Sequence, residues 1–344
     1  MPNFDIDKYL VKFEDIPYER KSIERVLTGF PDLDYFNKGI ECGLTEVLGG
    51  TNVGKSVFTS SLIKSAISQH YKVGVFAGEH SLKSYKALVM QQNATKGEFE
   101  CIPFIDNNGK ETNIADWYVN EESEKRINNM YNGNMFLFDV RRPERNVDTM
   151  VNVIKNAKEK YGVRFWIIDN LMEIDNKSNN QWQEQTDIGN QLRNVFVQND
   201  LFGILVMHIN KTKSLRVSIR DAFGSSNITN KAYRIWVIYR KDTLYPTKDQ
   251  EKELEYIKED LLKNGFDYDK CDGFIDTVKS KGNGNGIIGI KYDAETKTYR
   301  QADKISKTEA DKIFKVKAKK STKQIDIDGL SEVDNDDLED YLPF

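Results

Sequence analysis

The stretch Val47–Ser60 reads VLGGTNVGKSVFTS. Inside it, Gly49, Gly50, Thr51, Asn52, Val53, Gly54, Lys55 and Ser56 fit the pattern G-x-x-x-x-G-K-[ST]. An apolar strand, TEVLGG, runs into this loop. The segment SVFTSSLIKSAISQHY leaves it with apolar residues at helical spacing, namely Val57, Leu62, Ile63, Ala66 and Ile67. Strand, glycine loop and helix in that order solve a physical problem. A triphosphate carries several negative charges that must be held without bulky side chains in the way. Glycines let backbone N–H groups point inward, and the helix N-terminus adds the positive end of its dipole. The loop predicts a site for ATP or another nucleoside triphosphate with Mg²⁺. Lys55 then reaches the β- and γ-phosphates, and Ser56 ligates the metal.

Working outward, strand-like runs alternate with helical patterns. KVGVFAGE follows the loop helix, and NMFLFDV (134–140) comes next. VDTMVNVIKNAKEKYG has helical periodicity and leads into VRFWIIDN (163–170). A further helix, about 184–198, precedes FGILVMHIN (202–210). Near-continuous apolar strands between helices predict an α/β fold with a mainly parallel central sheet covered on both faces. Beyond residue 230, RIWVIYR, FIDTVKS and GIIGIKYD predict an antiparallel extension. The charged insertion 241–272 carries one thin apolar stripe, Leu254, Ile257 and Leu261, and reads as a surface helix.

Three polar residues close apolar strands. Asp169 ends FWIID, where a second Mg²⁺-organising carboxylate belongs. Glu79 ends VFAGE, and a carboxylate there fits a general base for the attacking water. His208 ends ILVMH, where it can sense the γ-phosphate and report to the following loop. That loop, INKTKSLRVSIRDAFGSSN, holds Lys211, Lys213, Arg216 and Arg220 with no acid before Asp221. It suits a phosphate backbone, as in single-stranded DNA. It lacks interleaved aromatics, so base stacking is not its mode.

Composition narrows the class. The 344 residues are 39% hydrophobic and 30% charged, as expected of a soluble globular protein. No run of about 18 apolar residues predicts a transmembrane helix, so no membrane partner is expected. The N-terminus lacks the basic and apolar regions of a secretory signal. Cys42, Cys101 and Cys271 are too scattered for a disulfide framework or a zinc site, and three histidines are too few for a metal cluster. A reducing cytoplasm is the expected setting. The net charge of −4 conceals a near-neutral body, a lysine-rich stretch and a closing tract without Lys or Arg. The expected organisation is an N-terminal arm (1–24) that packs between subunits, a catalytic body (25–302), a basic linker (303–323) and an acidic tail (324–344).

Several longer stretches carry a family resemblance. TGFPDLDYFNKGIECGLTEVLGGTNVGKS has a form common to RecA-like ATPases. WIIDNLMEI, VMHINK, SIRDAFGSSNITNKAYRIWVIYRK and TVKSKGNGNGIIGIKYDAETKTY are similar to the helicase domain of the DnaB/Twinkle-type hexameric replicative helicases. The resemblance spans roughly residues 25–300. It implies a RecA-like P-loop NTPase fold and an ATP-driven motor, with subunits, usually six, ringed around single-stranded DNA and nucleotide between neighbours. It assigns phosphate and Mg²⁺ binding to Gly54, Lys55 and Ser56, the catalytic base to Glu79, Mg²⁺ organisation to Asp169 and the sensor to His208. Lys279 and Lys281 match a pair that reaches into a neighbour's site, and Tyr292 matches a position near the adenine.

Two departures stand out. The family normally has Arg where this chain has Lys281, and lysine lacks the planar fork for bidentate contact. Hydrolysis is then slow, or Arg234 or Arg240 substitutes. No primase domain is expected ahead of the core, so a primase is expected to be a separate protein. The ending DNDDLEDYLPF resembles the tip of bacterial single-stranded DNA-binding proteins and suggests docking to a primase, polymerase or loader. The small size suits a phage or mobile element. Two rivals stay open: a recombinase-like filament former, and a weakly catalytic, nucleotide-switched DNA loader or scaffold.

Overall fold

The computed structural model describes residues 23–105, 109–142, 145–174, 181–209, 214–221, 231–281, 284–310 and 312–313. Strand β1 (Arg25–Val26) pairs with β2 (Ile40–Glu41) around helix α1 (Pro31–Asn37). β3 (Gly43–Gly49) enters the phosphate loop and α2 (Lys55–Ser68) leaves it. There follow β4 (Lys72–Ala77), α3 (Leu82–Asn93), the hairpin β5 (Phe99–Ile105) and β6 (Glu111–Val119), α4 (Glu121–Tyr131), β7 (Met135–Leu137), α5 (Val147–Tyr161) and β8 (Val163–Asp169). The chain continues through α6 (Gln181–Gln198), β9 (Phe202–His208), β10 (Arg234–Arg240), α7 (Glu251–Lys263), β11 (Gly273–Ser280), β12 (Ile287–Asp293) and β13 (Thr298–Gln301).

Nine strands form one sheet in the order β13-β12-β11-β10-β3-β9-β8-β4-β7. From β10 to β7 every pairing is parallel, and β11, β12 and β13 add an antiparallel meander. The parallel strands are buried on both faces, which explains their unbroken apolar runs. On one face, Phe58 of α2 meets Trp236 of β10 edge-on, with ring centroids 5.9 Å apart. On the other, Phe196 of α6 lies so close to β9 that a Cβ at Gly203 would overlap its ring. Asn146 caps α5 by accepting from Thr149 N (2.9 Å), and Gly162 ends it in the left-handed region at φ +75°.

Three elements differ from the sequence expectation. RIWVIYR, expected in the antiparallel extension, pairs parallel with β3, from Arg234 opposite Thr45 to Val237 opposite Leu48. The chain passes from one sheet edge at His208 to the other at Arg234 before entering β10, and such a crossover permits parallel pairing. NMFLFDV contributes only Met135–Leu137, on the outer edge of the sheet. The β5–β6 hairpin was not anticipated. Its Ile102, Trp117 and Tyr118 are exposed, so it lacks the one-sided alternation that marks a strand. The insertion helix is present as α7, with Ile257 and Leu261 buried and Leu254 packed partly against the core.

Candidate nucleotide site

The parallel register brings the strand ends together. Gly49 stands opposite His208, and Ala77 opposite Asp169. Glu79 follows two residues after Ala77, so the loop, both carboxylates and the histidine share one sheet edge. Gly54 takes φ +85°, and a Cβ there would overlap the Tyr299 ring. The Tyr299 hydroxyl donates to Val53 O (2.9 Å), so β13 buttresses the loop from behind.

Lys55 is buried at the start of α2. Its ammonium donates to Gly50 O (2.8 Å) and Gly49 O (3.2 Å) and lies 3.3 Å from His208 Nδ1. Burial lowers the Lys55 pKa, with Asp169 and Glu79 opposing. An ammonium can only donate, so His208 Nδ1 is the acceptor and Nε2 carries the ring proton. That Nε2 lies 3.1 Å from Glu79 Oε1, to which it donates. Asn170 Nδ2 also donates to Glu79 Oε1. The Asn170 amide is oriented by Met172 N, which donates to its Oδ1 (2.8 Å). Its Nδ2 therefore meets His208 Nε2 (3.1 Å) as a contact between two donors. A short relay results: Lys55, His208, Glu79, with Asn170 beside it.

Asp169 is 2% exposed and accepts from the Ser56 hydroxyl, while its Oδ2 has no hydrogen-bond partner. Burial raises its pKa against that hydrogen bond. A buried, unsatisfied carboxylate oxygen beside a hydroxyl suits a hard divalent cation. Among the described residues no three His, Cys, Asp or Glu cluster into an all-protein metal site. Mg²⁺ held by one or two protein oxygens plus phosphates fits this donor set.

Tyr292 stands in a small aromatic group at the side of the loop. Its ring centroid lies 5.2 Å from that of Tyr299, and the Arg240 guanidinium lies 5.3 Å over its face. Lys279 and Lys281 lie elsewhere. Ser280 pairs with Arg234, which pairs with Thr45, four residues before Gly49. The end of β11 is thus about 13 Å down the sheet from the chain's own phosphate loop. There the Lys281 ammonium sits 5.1 Å from the Tyr233 ring, which itself covers Gly43.

Neither arginine considered as a substitute for the trans-acting group is placed for it. Arg234 is 1% exposed and donates to Asn37 O (2.8 Å) and Glu41 Oε1 (3.0 Å). Arg240 pairs with Asp242 beside this chain's own loop. In the basic segment, Arg216 is engaged by Asp276 and Asp260 within the protein. Lys211, Lys213 and the side chain of Arg220 lie outside the described residues, as does the acidic tail. Sequence reasoning missed Asn170 and Tyr299. Asn170 follows Asp169 directly, and the polar pair closing an apolar strand was the available signal. Tyr299 gave none, because its partner Val53 is remote in sequence.

A mainly parallel sheet with a phosphate loop at one edge, acids on neighbouring strand ends and an antiparallel meander define a RecA-like P-loop ATPase fold. The chain belongs to the DnaB-like helicase C-terminal domain family, whose profile matches residues 25–267. Solved structures agree on the fold. One, described as a DnaB-like replicative helicase and its interactions with primase, is 16% identical with a TM-score of 0.61; 84% of this chain covers 64% of that one. A second, described as an ATPase domain, is 17% identical with a TM-score of 0.61, over 87% of this chain and 99% of that one. A KaiC-like protein, PH0186 from Pyrococcus horikoshii OT3, is 13% identical with a TM-score of 0.52, over 82% and 100%. This chain thus spans less than two thirds of the first of these. No curated protein matches it. Among the described residues no helix is long and apolar enough to cross a membrane.

Proposed function

We propose that the chain is an ATP-dependent DNA helicase that assembles into a ring, usually of six, and translocates on single-stranded DNA. The observation that carries this reading is the relay from Lys55 through His208 to Glu79 at one sheet edge. The Gly49–Ser56 loop and Lys55 hold the triphosphate, while Ser56 and Asp169 hold Mg²⁺. Bound there, Mg²⁺ would supply charge neutralisation to the phosphates. Asn170 and His208 orient Glu79 through Oε1, and the other oxygen takes a proton from water. Lys55 gives up its loop carbonyls on engaging a γ-phosphate. His208 Nδ1 then loses its donor, so the ring reports the phosphate state to the segment that follows it.

Lys279 and Lys281 act on a neighbour's nucleotide, because they are remote from their own. Tyr292 lies against the base. Lys211, Lys213 and Arg220 contact the DNA backbone, and the arm 1–24 packs on the adjacent subunit. The tail 324–344 docks a separate primase, polymerase or loader, and the protein works in the cytoplasm. Glu79→Gln should keep nucleotide binding and lower DNA-stimulated turnover at least about 100-fold. Unchanged turnover would remove Glu79 from the role of base.

Lys281 in place of arginine favours a second reading, a weakly catalytic, nucleotide-switched loader or scaffold. Turnover that stays at background with single-stranded DNA present would support it. A recombinase-like filament would appear as open helices rather than closed rings in electron micrographs.

A further inference from the structure

The basic segment after the sensor strand is tied down by carboxylates from two other elements. Glu253, in the first turn of α7, accepts through Oε2 from Leu215 N (2.6 Å), the Ser214 hydroxyl (2.7 Å) and Arg216 N (3.3 Å). The Ser214 hydroxyl and then the two backbone donors hold its carboxyl below the usual range, against the effect of burial. The Arg216 guanidinium forks onto Asp276 of β11, Nε to Oδ2 at 2.7 Å and Nη2 to Oδ1 at 3.2 Å. Its Nη1 donates to Asp260 Oδ2 of α7 at 2.7 Å. Val217 N donates to the Tyr239 hydroxyl of β10 (2.8 Å). The Asp276 side chain is 3% exposed and that of Arg216 40%, so the pair is half-shielded, and its bidentate geometry makes it stronger than a single rim contact.

β11 continues from Asp276 to Lys279 and ends just before Lys281. A path of contacts therefore starts at Ser214, which follows His208 by six residues in sequence. It passes through the Ser214–Arg216 segment and across the Arg216–Asp276 pair, and it ends at the lysines on the far sheet edge. We propose that Glu253 of α7 and Asp276 of β11 are positioning residues that clamp this segment between α7 and β11. A shift of the segment by DNA would thereby move Lys279 and Lys281 and change turnover at the neighbouring subunit. The clamp gives the charged insertion 241–272 a purpose and makes Arg216 an anchor rather than a phosphate contact. The role of DNA and of the neighbour rests on the helicase reading; the path through Arg216 does not.

The test uses the full chain with Glu253→Gln, which keeps the side chain's shape and removes its charge. ATP turnover is measured with and without oligo(dT), and amide exchange is followed at Leu215, Arg216 and Val278–Lys281. Loss of about 1.4 kcal/mol of charge-assisted hydrogen bonding corresponds to about a tenfold effect. DNA-free turnover and the KM for ATP should stay within about twofold, and stimulation by oligo(dT) should fall by about that tenfold factor. Exchange should accelerate by a similar factor both at Leu215 and Arg216 and at Val278–Lys281. Faster exchange at Leu215 and Arg216 alone, or full stimulation in the variant, overturns the clamp. If the unmodified chain shows no stimulation, the helicase reading falls, and the exchange comparison still decides the clamp. Should Glu253→Gln unfold, Asp260→Asn loosens Arg216 without touching β11. It should change exchange at Val278–Lys281 in the same direction, and no change there overturns the proposal.

Discussion

Glu46 lies midway along β3, fully buried, and neither of its carboxylate oxygens has a hydrogen-bond partner. Burial pushes its pKa up to about 8, with Lys279 opposing. The folded value is above the unfolded one. The stability contributed by the neutral carboxyl is therefore complete below about 4.5 and lost progressively toward pH 8. The steepest loss is about 1.4 kcal/mol per pH unit. Glu46→Gln should melt close to the parent near pH 5 and at a higher temperature at pH 8. A melting difference that does not change across this window would contradict the assignment. His208 permits a second prediction at the same scale. His208→Ala removes the bridge between Lys55 and Glu79 while leaving the glycine loop intact. Nucleotide affinity should stay within a few fold, while DNA stimulation of turnover falls by about 10-fold or more. Equal loss of affinity and turnover would make His208 a ground-state binding residue instead.

At the scale of elements, β11 runs antiparallel to β10 and so delivers Lys279 and Lys281 to the edge away from the phosphate loop. On the proposed ring reading, they would act instead on a neighbouring subunit's nucleotide. Lys281→Ala and Lys55→Ala chains should each turn over ATP poorly alone. Randomly mixed one to one, about a quarter of interfaces pair an intact loop with an intact Lys281, and turnover should recover in proportion. No recovery on mixing would exclude action in trans. Elements also show what the sequence disclosed. The phosphate loop, α2 and the apolar strands were legible because their signals are local: glycine spacing, helical period, buried runs. The parallel pairing of β10 was not, because it depends on where the chain travels between His208 and Arg234. The role of Arg216 was hidden for the same reason. Its partner Asp276 is 60 residues away, and in sequence the arginine reads only as one charge of a basic loop.

The whole molecule joins two edges of one sheet. Asp169, His208 and, just past its strand, Glu79 were readable as site residues because apolar runs end at or beside them, and parallel strands end together. Asn170 and Tyr299 complete the site through contacts that only folding creates. If hydrolysis at one edge moves the basic segment, and the other edge addresses a neighbour, the assembled protein is a motor on single-stranded DNA. The most direct measurement is strand displacement from a forked duplex, with and without ATP, by the parent chain and by Glu79→Gln. The account predicts displacement that requires ATP in the parent, and fork binding without displacement in the variant. Parent chains that hydrolyse ATP and bind the fork yet displace no strand would contradict it.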